Sequence, residues 1–94
     1  MCDDADRRIA FALREIEALG GGAPDLADAP ALDHWRLVRD EESAFLIGIV
    51  TGHPRIADGR LTRTSQLVAM NRGRTWARTL SRFYRLYAPA DDAG

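Results

Sequence analysis

Residues 74–87, RTWARTLSRFYRLY, set four arginines among four aromatic rings in fourteen positions. The fold turns on whether this stretch winds or extends. Wound at 100° per residue, Trp76, Leu80, Phe83, Tyr84 and Tyr87 fall on one side and Arg74, Arg78, Arg82 and Arg85 on the other, as in an amphipathic helix. Laid out with a period of two, Trp76, Arg78, Leu80, Arg82, Tyr84 and Leu86 share one face, a less tidy mixture. Residue types argue the other way: Thr75, Thr79 and the four rings favour a pleated surface. Asn71-Arg72-Gly73 just upstream also suits a hairpin better than a helix entry. Pattern alone leaves both readings open.

Upstream, the punctuation is that of strands. Leu61–Met70 (LTRTSQLVAM) alternates, with Leu61, Leu67 and Ala69 on one face, and predicts a single strand. Ser43–Thr51 (SAFLIGIVT) is the most apolar segment and predicts the buried central strand. Gly52-His53-Pro54 breaks it, and Asp58-Gly59 marks a tight turn. Trp35–Arg39 predicts a first strand, turned by Asp40-Glu41-Glu42. Residues 23–33 hold two prolines and three aspartates without a sustained period, and read as a loop. Before it, Asp6–Leu19 predicts a helix: Ile9, Leu13 and Ile16 form a stripe with Ala12 and Leu19 at its edge, and Phe11 points away. Asp3, Asp4 or Asp6 can cap its start, and Gly20-Gly21-Gly22 stops it.

VTGHPRIADG (Val50–Gly59), Thr64-Ser65 and WARTLSRFYRL (Trp76–Leu86) together resemble an uncharacterised family of small alphaproteobacterial proteins, a domain of unknown function. The resemblance covers about residues 46–88 and leaves the N-terminal helix outside. Tyr87 stands where a glycine often follows the Tyr-x-Leu of such proteins. The resemblance implies no catalytic residues. Its Thr-x-Ser-x-x-Tyr cadence, here Thr79 to Tyr84, implies a strand. The expected fold is therefore α+β: one N-terminal helix on an antiparallel sheet of about four strands, the β-rich part spanning residues 34–88.

Size and composition bound the function. Ninety-four residues make one domain, and 46% hydrophobic with 29% charged residues places it among folded rather than disordered chains. Cys2 is the only cysteine, so no internal disulfide forms. No apolar run approaches the roughly 18–20 residues of a membrane span. MCDDADRR lacks the apolar core of an export signal, so the expected location is the cytoplasm. All thirteen basic residues are arginine, as GC-rich coding with its fifteen alanines would produce. Residues 1–51 carry eleven acids and five arginines, whereas residues 52–88 carry one acid and eight arginines. The near-neutral total hides opposed halves, which suit an anionic partner, acid-to-base self-association, or mixing on one folded surface.

Catalytic and metal chemistry find little support. His34, His53 and Cys2 lack the paired spacing of a metal site, so neither metal nor cofactor is expected. Ser65, His53 and Asp58 lack the surroundings of a nucleophile elbow. Gly20-Gly21-Gly22 follows a helix and precedes no Lys-Ser/Thr, unlike a phosphate loop. A non-enzymatic role is expected. The candidate binding residues are Arg60, Arg63, Arg74, Trp76, Arg78, Arg82, Tyr84 and Arg85, with His53 and Arg55 on the Gly-His-Pro loop. Arginines with aromatic rings serve protein interfaces and nucleic-acid grooves alike. They also serve folds in which the rings form the core and the arginines face water. The leading expectation is a small binding or inhibitor protein acting through protein contact, of the size class carried by phages and other mobile elements, such as anti-CRISPR proteins. A nucleic-acid-binding regulator using the C-terminal segment is the alternative, which the overall acidity disfavours.

Overall fold

In the computed structural model, which describes residues 4–90, a single helix α1 (Asp4–Ala18) precedes six strands. These are β1 (Ala31–Arg39), β2 (Ala44–Thr51), β3 (Leu61–Arg63), β4 (Leu67–Met70), β5 (Trp76–Thr79) and β6 (Phe83–Leu86). They form one sheet in the order β3-β2-β1-β6-β5-β4. The expected cap at Asp3, the thiol of Cys2 and the acids Asp91 and Asp92 lie outside the described residues. The α+β class stands, but the sheet has six strands rather than about four. It is also mixed rather than antiparallel, because β1 runs parallel to β6.

Two hydroxyl-built corners account for the extra strands. The stretch Leu61–Met70 breaks at Thr64: the Thr64 N–H donates to Leu46 O at 2.8 Å, and Thr64 Oγ1 accepts from the Leu46 N–H at 3.0 Å. Two residues later Gln66 O accepts from the Leu80 N–H at 2.9 Å, so the chain has left β2 and joined β5. The opening stretch breaks likewise. Thr79 N–H donates to Arg82 O at 2.9 Å, and Thr79 Oγ1 accepts from the Ser81 N–H at 3.2 Å. Leu80-Ser81 thus turns a β5–β6 hairpin. The expected extended conformation is right, and the single element is not. Ser65 and Ser81 Oγ atoms meet at 3.2 Å where the corners touch, and Arg8 of α1 donates to Ser81 Oγ at 3.1 Å.

The corner at Thr64 dictates the curvature. β3 and β4 lie at opposite edges of the sheet, which if flat would be roughly 24 Å apart. Four Cα steps from Arg63 to Leu67 reach at most about 15 Å. The sheet must curl, and β2 and β4 do come into contact. Its concave side holds the core: Leu32, Trp35, Leu46, Val50, Ala77, Tyr84 and Leu86, with Leu37, Ile56, Leu67 and Met70 packed against them. Trp35 Nε1 donates to Tyr87 O at 3.0 Å, satisfying the indole inside this core.

β1 starts at Ala31, so the linking loop is shorter than residues 23–33. A bulge between Asp33 and Arg36 puts both Leu32 and Trp35 inward, with His34 at a left-handed φ of 49°. Gly48 makes room for it. A Cβ there would stand 3.1 Å from Asp33 O and 3.1 Å from Trp35 Cβ.

α1 rests on the convex side over β4 and reaches Arg78 of β5, with Ala12 fully buried, Ile9, Glu15 and Ile16 half-buried, and Leu19 half-buried just past its end. Its buried stripe is centred on Ala12; Leu13, expected within it, is exposed, as is Phe11. Beneath the helix lies Arg78, with its side chain only 6% exposed and Nη2 3.1 Å from Glu15 Oε1. The guanidinium sits 5.2 Å from the Phe83 ring centroid and 5.9 Å from that of Phe11. Burial lowers its pKa from the ordinary arginine value; Glu15 opposes that shift and Arg8 adds to it.

Gly48→Ala should cost about 1–3 kcal/mol, because β1 backbone must move to admit the methyl group, and urea denaturation will measure it. Glu15→Ala should cost about 1–3 kcal/mol by leaving a buried cation unpaired. The same method should show most of that loss absent from a double variant, Glu15→Leu with Arg78→Met, which removes both charges.

Candidate interaction surface

The β5–β6 hairpin sorts the candidate residues onto two faces instead of gathering them. Trp76 is buried, its ring edge-on to Phe83 at 5.6 Å between centroids. Tyr84 lies in the core, where burial raises its phenol pKa against the opposing pull of Arg82. With Arg78 held beneath α1, these three side chains serve the interior. Arg85 is half-buried, its Nε donating to Ala29 O at 3.1 Å, with its guanidinium 6.0 Å from the exposed Tyr87 ring. Arg82 is half-buried at the hairpin turn, and Arg74 is exposed at a φ of 59° in the β4–β5 turn. No continuous basic ridge forms along residues 74–87.

His53 serves its own turn. Its Nδ1 accepts the Arg55 N–H at 3.0 Å, which assigns the proton of the neutral ring to Nε2. Burial foremost, then the charges of Arg82 and Arg55, hold its pKa below the ordinary imidazole value. Arg55, Arg60 and Arg63 are exposed. Among the described residues, Arg78 alone of the arginines lies within 4.0 Å of a carboxylate.

A different surface emerges from the strand register. On the convex side of β1–β3, Leu61 stands beside Ile49 and Asp33, Arg63 beside Ile47 and Arg36, and Phe45 beside Val38. Val38, Phe45, Ile47 and Ile49 are only half-buried, and Leu61 is 71% exposed. The Arg63 guanidinium stacks 4.0 Å over the Phe45 ring, and Arg36 is exposed nearby. α1 lies on β4 and reaches Arg78 of β5, at the other end of the strand order. An aliphatic and aromatic centre therefore meets solvent inside a rim of arginines.

Of this surface, only Arg63 is among the candidates drawn from sequence. SAFLIGIVT reads as a strand buried on both faces because nearly every position is apolar. Instead β2 lies next to the edge strand β3; Leu46, Gly48 and Val50 point inward and the alternate row outward. The inward glycine was the available signal: in a strand interior it marks close backbone approach on one face.

Among the described residues, no group of three or more His, Cys, Asp or Glu side chains is placed to hold a metal ion. Nor, among them, is any helix long and apolar enough to cross a membrane. No curated protein and no solved structure matches the chain. A family match does, and it extends beyond the residues 46–88 of the resemblance to take in α1 as well as the sheet. Over residues 3–93 the chain belongs to a family of unknown function, DUF6634.

Proposed function

We propose that the protein is a non-enzymatic binding module that covers a surface of another protein with the convex face of β1–β3. The observation that carries this reading is the uncovered row of Val38, Phe45, Ile47, Ile49 and Leu61, rimmed by Arg36 and Arg63. Interfaces combine an apolar centre with arginine and aromatic anchors. Arginines on the rim, with Asp33 the lone acid in those rows, suit a partner whose apolar patch is bordered by carboxylates. Such a protein acts by occupancy, as a blocker of a host complex carried by a phage or other mobile element would.

A cytoplasmic location belongs to the same proposal. So does the alphaproteobacterial source implied by the resemblance, which the all-arginine basic complement supports. The convex face could also meet its equivalent on a second copy, giving a homodimer. Nucleic acid is the weaker partner: the C-terminal arginines and rings are divided between interior and surface, and the chain carries a net charge of −1.

A photo-crosslinking side chain at position 61, used in nuclease-treated lysate of a cognate host, should give one discrete protein adduct. Ile47→Glu should weaken that capture roughly 30-fold, as loss of an interface anchor does, while its thermal midpoint stays within a few degrees of the parent's. Adducts indifferent to Ile47→Glu, or adducts that vanish with nuclease, would overturn the proposal. An adduct of twice the chain's own mass would identify the partner as a second copy.

A further inference from the structure

Given the convex-face reading, on which this rests, we propose that the partner protein delivers an extended acidic segment, which adds as a further strand along the free edge of β3. β3 ends the strand order, so only β2 pairs with it. Hydrogen bonds at its two ends fix which way its backbone faces. The Val50 N–H donates to Arg60 O at 3.0 Å, and the Thr64 N–H donates to Leu46 O at 2.8 Å. Antiparallel ladders alternate, so residues 60, 62 and 64 turn their backbone groups toward β2. The N–H and C=O groups of Leu61 and Arg63 therefore point away from the sheet, where another chain can pair with them.

The side chains of Leu61 and Arg63 share the convex side, while Thr62 between them is buried. Each stands at the end of a row: Asp33, Ile49 and Leu61 in one, Arg36, Ile47 and Arg63 in the other. A strand added here lengthens both rows by one residue, and the two new residues stand at i and i+2 on the same face. An apolar residue in the first row covers the exposed side chain of Leu61. The uncovered face and the free edge are thus one continuous surface.

Charge selects the occupant. Between residues 52 and 64 the chain carries Arg55, Arg60 and Arg63 against Asp58, and Asp58 Oδ1 already accepts the Gly52 N–H at 2.8 Å. All three arginines are exposed, and none lies within 4.0 Å of a carboxylate among the described residues. Stacking on Phe45 holds the Arg63 guanidinium over its row and leaves the N–H groups in the plane of the fork for a carboxylate. Like charges set the β3 edge of a second copy against this one, whereas an acid opposite Arg63 makes a favourable cross-strand pair. The segment that fits carries an acid beside Arg63 and an apolar residue beside Leu61, two positions apart.

The probe is the synthetic heptapeptide TETVTET, which presents its acids on both sides of the valine and so fits either strand direction. Amide hydrogen exchange of ¹⁵N-labelled protein supplies the readout. In the protein alone, the outward amides of Leu61 and Arg63 should exchange faster than that of Thr62. With the peptide at about ten times its dissociation constant, exchange at Leu61 and Arg63 should slow about tenfold. Lysine in place of both glutamates should abolish the slowing. Arg63→Ala should weaken binding about threefold, the worth of a cross-strand charge pair. Arg63→Pro removes an outward N–H but no ladder bond, and should weaken binding about tenfold or more while the amide spectrum retains the parent's dispersion. No slowing with TETVTET, or equal slowing with the lysine peptide, would overturn the proposal. Slowing that grows with protein concentration in the absence of peptide would overturn it too, by showing a second copy at the edge. The convex-face reading outlives such a result if capture at position 61 still responds to Ile47→Glu, and falls with it if that response is lost.

Discussion

Three residues, Thr64 to Gln66, join the two opposite edges of a six-stranded sheet, and that short reach forces the curl on which everything else depends. Thr64 makes the corner feasible. Its backbone N–H and side-chain oxygen both bond to Leu46, finishing the β2–β3 ladder at the point where the chain must leave it. Gln66 then pairs with Leu80 at the start of the next ladder. A sheet curled this way has one concave side large enough for a core and one convex side too broad for a single helix to cover.

The helix settles where the chemistry of the convex side suits it. α1 brings Ala12, small enough for close approach, and Glu15, which neutralises a buried cation on β5. An acid from the N-terminal half thus meets an arginine from the C-terminal half inside one chain. That contact accounts for part of the opposed charge seen along the sequence. The remaining arginines stay unpaired with carboxylates among the described residues, and those of β1 and β3 border the apolar rows that α1 leaves open.

Much of the fold was legible where the signals were local. The helix announces itself by its stripe and its glycine stop, and β2 by its apolar run. The turns at Asp58-Gly59 and Asn71-Arg72-Gly73 follow from their residue types. Gly59 has a φ of 87°, and Asn71 Oδ1 accepts from the N–H groups of Thr75 and Trp76. The two missed corners contain no glycine, proline or asparagine. Threonine hydroxyls supply their hydrogen bonds instead, and threonine is also a strand former, so each corner hid inside a plausible strand. Arg78 was misleading for a related reason. An arginine in a β pattern reads as solvated, and only the packing of α1 from the far end of the chain puts it inside. Parallel pairing of β1 with β6 is a long-range consequence of the curl and has no local signature.

The most direct test of the account is the set of through-space amide contacts made by residues 61–70 in solution. The curled sheet predicts that Thr64 shows cross-strand contacts to Leu46 while Gln66, two positions later, shows them to Leu80. A single neighbouring strand running alongside the whole of residues 61–70 would contradict it. The concave core and the uncovered convex face would then have to be redrawn.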